Sequence, residues 1–146
     1  MTTDEKRISR TRVINAPAGQ IFELLADPTK HAELDGSGSV AGSVSTDSRR
    51  LELGSRFGMR MRIGLPYSIR NTVVEFEDGS LIAWRHFSGH RWRWQLRDLG
   101  DGSTEVTETF DWSTARSPRV IELMGFPERN RQGIEATLDG LQKRFA

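Results

Sequence analysis

No cysteine occurs anywhere in the 146 residues. That absence removes disulfides, thiol nucleophiles and thiolate metal sites together, and it suits a cytoplasmic protein. Histidine is scarce as well: His31, His86 and His90 are the only three, and they argue against a zinc site, so neither a metal nor another cofactor is expected. Long apolar runs are missing. Apolar runs such as Ile21-Phe22 or Leu24-Leu25-Ala26 are only a few residues long, too short to span a bilayer, so membrane insertion is not expected. The opening MTTDEKRISR is charged and holds no apolar stretch, so no secretory signal is expected either. Lysine is confined to Lys6, Lys30 and Lys143, which leaves basicity to arginine. A net charge of +1 and a pI of about 8.2 fall below the basic range of nucleic-acid domains, and no nucleic-acid partner is expected. No Gly-x-Ser-x-Gly elbow is present, so a serine-nucleophile triad has no foothold.

What is present is mostly periodicity. The length suits one domain over residues 1–146 with a core of its own. Residues 7 to 14 read as a strand. Pro17 then precedes a helical stretch over Gln20 to Ala26, which Asp27-Pro28 stops, and a second short helix runs from Thr29 to Leu34. Gly36-x-Gly38-x-x-Ala41 matches a dinucleotide fingerprint in letters alone. That motif needs a strand before it and a helix after it, whereas here a helix precedes and β-type residues follow, with Val40 and Val44 suggesting an edge strand.

From 56 to 112 the period is two. Phe57, Met59, Met61 and Ile63 alternate with Arg56, Gly58, Arg60 and Arg62. A two-residue turn at Asp78-Gly79 joins the next two runs. It sets Glu77 opposite Ser80, Glu75 opposite Ile82, Val73 opposite Trp84 and Asn71 opposite His86, on one inward face with Tyr67 and Ile69. The segment HRWRWQLRD then puts indoles and guanidiniums on opposite faces. With Trp92, Trp94 and Leu96 inward, the partner strand presents Val106, Glu108, Phe110 and Trp112. Arg91, Arg93 and Arg97 then share the outer face with Glu105 and Asp111, a charge-paired wet surface rather than a phosphate-reading one. Ser117-Pro118 opens a short helical segment. A longer helix over Glu128 to Phe145 carries a single apolar stripe of Ile134, Leu138, Leu141 and Phe145. Gly133 and Gly140 weaken that helix, which suggests close approach to the sheet or room beneath it.

Such an order buries its apolar faces as a curved antiparallel sheet with an amphipathic helix across its concave side, an α+β architecture. The sequence also resembles a known superfamily, the START-like or Bet v 1-like proteins, which include the polyketide cyclase/dehydrase and lipid-transport proteins. The residues carrying the likeness are Ile14-x-Ala16-Pro17, Ile21-Phe22-x-Leu24-Leu25-x-Asp27, His31-x-x-x-Asp35-Gly36-Ser37-Gly38, Gly54-x-x-Phe57-x-Met59-x-Met61, Asn71-x-Val73-Val74-Glu75, Ile82-Ala83-Trp84 and Thr107-Glu108-Thr109. Asp35-Gly36-Ser37-Gly38 looks most like a largely uncharacterised bacterial branch. The resemblance implies the helix-grip fold, with the first and last strands adjacent and a cavity between sheet and helix.

On that expectation the inner wall is a ligand surface: Met59, Met61, Tyr67, Trp84, Trp92, Trp94 and Phe110 face Ile134 and Leu138, and Asn71, His86 and Glu108 supply polar points. Glu108, in an apolar phase between Val106 and Phe110, and His86 are the candidate acid/base groups. Glu75 is a second carboxylate in an inward phase. Arg12 is the candidate polar anchor, placed by the implied strand order to pair with Glu108. The expected partner is a hydrophobic small molecule, a lipid or polyketide-like aromatic, held by a monomer or homodimer. A cyclase or dehydratase using Glu108 or His86 is the alternative. A protein-interaction module docking through the outer face or the Arg56/Arg60/Arg62 edge is a third.

Overall fold

The computed structural model describes residues 6–34, 40–43, 50–63, 65–86 and 89–146. Strand β1 (Arg7–Ile14) leads into helix α1 (Ala18–Leu25), a short 3-10 turn (Pro28–Lys30) and helix α2 (His31–Leu34). Strands β2 (Val40–Ser43), β3 (Arg56–Ile63), β4 (Leu65–Glu77), β5 (Leu81–His86), β6 (Arg91–Asp98) and β7 (Thr104–Asp111) follow, then helices α3 (Pro118–Leu123) and α4 (Phe126–Arg144). Every strand pairing is antiparallel, and the sheet runs in the order β1-β7-β6-β5-β4-β3-β2. This is the helix-grip fold: a curved sheet around a long C-terminal helix. The dinucleotide-like motif and the Asp35-Gly36-Ser37-Gly38 stretch lie largely outside the described residues, as does Val44; Val40 does begin the edge strand.

Pro17, extended at φ −63° and ψ 148°, stands at the N-cap of α1, and the helix turns Ile21, Phe22 and Leu25 into the core. Gly125 adopts φ +74°, the left-handed conformation that lets the chain break sharply between α3 and α4. Along α4, Ile134, Leu138 and Leu141 are buried against the sheet's inner residues, whereas Phe145 is only partly covered. Full burial of such side chains contributes roughly 1.5–3 kcal/mol each. The two helix glycines divide: Gly133 is buried, but Gly140 is exposed and a Cβ there would meet nothing within 4 Å. Close approach therefore does not account for Gly140.

The β4–β5 hairpin departs from the expected turn. Asp78-Gly79-Ser80 is a three-residue loop, with Gly79 at φ +86° and Glu77 opposite Leu81. A bulge at Val74 then takes up one residue, so Val73 still faces Trp84 and Asn71 still faces His86. Between loop and bulge the pairing differs: Glu75 faces Ala83, not Ile82, and Phe76 faces Ile82. The phase of β4 thus switches at Val74. Phe76 turns inward, its ring 5.7 Å from that of Phe22, while Glu75 turns outward to Arg93 at 3.3 Å.

Candidate functional site

Register across the sheet assembles the inner face in rows. Val73, Trp84, Trp92, Phe110 and Ile8 are successive partners across five strands, as are Phe76, Ile82, Trp94, Glu108 and Arg10. Toward one end Phe57, Asn71 and His86 form a third row, extended by His90, whose carbonyl accepts a bond from the His86 amide at 2.9 Å. The expected inward set Trp92, Trp94 and Leu96 pairs with Phe110, Glu108 and Val106.

Met59, Trp84, Trp94, Phe110, Ile134 and Leu138 are buried within one core cluster, and Trp92 is partly covered beside Phe110, ring centroids 4.9 Å apart. Tyr67 is 43% exposed and stands apart from this wall. The side chain of Met61 lies outside the described residues. Arg91 and Arg93, expected to be exposed on a charge-paired outer face, do lie on that face but are only partly exposed, and both contact Glu75, at 3.8 and 3.3 Å.

Two polar assignments change. Glu108 is buried at 6% exposure, but the residue across from it on β1 is Arg10; Arg12 faces Val106 and reaches Asp139 of α4 at 3.5 Å. The first and last strands are neighbours as implied, yet the register is offset by two residues from an Arg12–Glu108 pair. Arg12 holds the helix instead. Glu75 is not an inner carboxylate at all, because the bulge rotates it to the other side.

Asn71 is 1% exposed, and among the described residues no donor reaches its Oδ1. His86 and His90 stack obliquely, ring centroids 4.3 Å apart. Burial, and secondarily His90, pushes the His86 imidazolium well below the ordinary range. Burial alone lowers His90 to about 4. Both rings are neutral at pH 7, so each offers one donor and one acceptor. A neutral, hard-to-protonate His86 is a better hydrogen-bonding group than proton-transfer base.

His31 was not anticipated here. It lies at 7% exposure between Phe57 and Trp84, its Nε2 donating to the Leu25 carbonyl at 2.8 Å. Its position three residues after the Pro28 helix stop is the only sequence cue, and that cue does not specify a direction. Among the described residues no group of three His, Asp or Glu side chains converges as metal ligands.

A family model described as polyketide cyclase/dehydrase and lipid transport matches residues 5–146. The chain belongs to that family. It is 41% identical over 145 residues to the uncharacterized protein Rv0088 of Mycobacterium tuberculosis, covering 96% of this chain. The chain spans 64% of the length of the curated relatives it matches. A START superfamily protein from Mycobacterium smegmatis superposes with a TM-score of 0.67 at 18% identity, covering 95% of this chain and 96% of the other. The Aha1 dimer from Colwellia psychrerythraea gives 0.65 at 14% identity, covering 95% of each chain. Likeness at these identities concerns the fold. Among the described residues no helix is long and apolar enough to cross a membrane.

Proposed function

We propose that residues 1–146 form a single START-like domain that binds or carries a hydrophobic small molecule, a lipid or polyketide-like aromatic, between the inner face of the sheet and α4. Met59, Trp84, Trp92, Trp94 and Phe110 form the apolar wall, with Ile134 and Leu138 above it. The observation that carries this reading is the polar band Asn71–His86–His90 crossing an apolar face, with the Asn71 Oδ1 acceptor buried and unsatisfied. Buried acceptors are ordinarily paired, and a ligand hydroxyl or amide would pair this one. Glu108 offers a second polar contact deeper in the wall. The family description names both lipid transport and cyclisation, and the lowered basicity of His86 favours carriage over proton transfer. The absence of cysteine suits a cytoplasmic carrier, acting as a monomer or homodimer.

Native mass spectrometry of the freshly purified protein, with titration of an environment-sensitive apolar dye, tests the proposal. A retained apolar mass or one dye per chain is expected, and Leu138→Trp should reduce dye binding while costing little stability. If the wild type binds no dye and Leu138→Trp costs roughly 1–3 kcal/mol, as overpacking a filled core does, the wall is only packing. Turnover of a ligand abolished by Glu108→Gln, with binding intact, would replace carriage by catalysis.

A further inference from the structure

The outer face of the sheet carries two kinds of arginine. Away from one end they are neutralised: Arg97 pairs with Glu105 at 3.1 Å and Arg93 with Glu75 at 3.3 Å. At that end, five arginines line a cleft of about 410 Å³: Arg56, Arg70, Arg85, Arg91 and Arg116, with the hydroxyls of Thr72 and Thr114. Register brings most of them together, since Arg56, Thr72, Arg85 and Arg91 are successive partners across β3, β4, β5 and β6. Adjacent strands lie about 4.8 Å apart, so Arg85 and Arg91 meet directly although like charges in register repel.

The remaining wall is folded into place. Thr114 Oγ1 donates to the Gly89 carbonyl at 2.6 Å, and a Cβ at Gly89 would stand 2.7 Å from the Thr114 carbonyl oxygen. Gly89 also takes φ +98°, so only glycine lets the segment after β7 close over this end of the sheet and carry Arg116 in.

Little opposes the accumulated charge. Among the described residues no ion pair reaches Arg56, Arg70, Arg85 or Arg116. Arg91 has only the longer 3.8 Å contact to a Glu75 shared with Arg93, and its buried Nε has no hydrogen-bond partner. Asp111, the other nearby carboxylate, is held by Arg7 and by the amide and hydroxyl of Ser113. His86, at the border, adds no negative charge.

We propose that this cleft binds a phosphate group of a small molecule, with Arg85, Arg91 and Arg116 as its principal donors. Guanidinium forks match phosphate oxygens bidentately, and the cleft exceeds a lone carboxylate in both charge and size. The site stands on the face opposite the aromatic wall and does not depend on what that wall binds.

Calorimetric titration with sodium pyrophosphate tests it. Saturable binding that weakens with added salt is expected, and Arg85→Gln and Arg116→Gln should each weaken it about tenfold, as loss of a charged hydrogen bond does. Arg97→Gln, on the same face but outside the cleft, should bind as the wild type does. Co-sedimentation with phosphatidylcholine vesicles containing phosphatidic acid separates the sources of the group. Vesicle binding lost in the same variants points to a lipid headgroup; pyrophosphate binding without vesicle binding points to a soluble phosphate ester. Absence of saturable pyrophosphate binding, equal weakening in Arg97→Gln, or a marked preference for single-stranded oligonucleotides would overturn the proposal. Unchanged melting temperatures in the exposed-site variants ensure that lost binding is not lost folding.

Discussion

His31 lies nearly flat on Trp84, ring centroids 4.9 Å apart and planes 20° from parallel, while its Nε2 donates to the carbonyl of Leu25, the last residue of α1. One side chain thus caps an orphaned helix carbonyl and seats α2 against the inner wall. His31→Ala should cost about 2–3 kcal/mol in urea unfolding through lost packing and an unpaired carbonyl. His31→Phe keeps the ring and should cost less; an equal cost would mean that the stacking contributes nothing.

The bulge at Val74 makes a testable distinction between neighbours. Phe76 packs inward on Phe22 and beneath the Arg50 guanidinium, 5.9 Å from its ring, so Phe76→Ala should cost about 2–4 kcal/mol. Glu75→Ala removes only a partly exposed ion-pair cluster and should cost under about 1 kcal/mol. The reverse order of costs in chemical denaturation would restore the uninterrupted two-residue-turn register.

Acid should act through His90 and His86 before most carboxylates titrate. Both fold with lowered pKa values, His90 at about 4 against an ordinary 6.5, so the unfolded chain binds protons that the folded chain refuses. Stability is therefore full above about pH 6.5 and declines as pH falls toward 4, by on the order of 2–3 kcal/mol for His90. Urea midpoints between pH 7 and pH 5 should fall in the wild type and stay flatter in His90→Gln. Parallel slopes would show that His90 titrates normally.

Gly140 sits in the exposed interior of α4 with free space where a Cβ would go. Gly140→Ala should raise stability by up to about 1 kcal/mol, read as a higher melting temperature. A lower one would reveal a need for flexibility in the helix.

Much of this architecture was legible because strand and helix periods are written locally. The alternation through HRWRWQLRD fixes which side chains share a face, and the four-and-three spacing of Ile134, Leu138 and Leu141 fixes the buried stripe of α4. Even the switch at Val74 left a trace: Ile69, Asn71 and Val73 keep one phase, and Phe76 breaks it. A bulge and a three-residue loop are each permitted by these residues, however, and their combination preserves the same distant pairs as a simple turn.

The sequence by itself determined the order of elements and the inward identity of Trp84, Trp92, Trp94 and Phe110, since each follows from period along the chain. Asn71 meets His86 as expected, but only because a three-residue loop and the bulge at Val74 cancel. Only the tertiary structure decided that Arg10 rather than Arg12 stands across from Glu108, that His31 joins the aromatic wall, and that Arg116 meets Arg85 and Arg91 in one cleft. Those relationships depend on the offset between strands far apart in sequence and on loops folded over a finished sheet. Neither offset nor fold-over has a local period, because both are set by how the whole core packs.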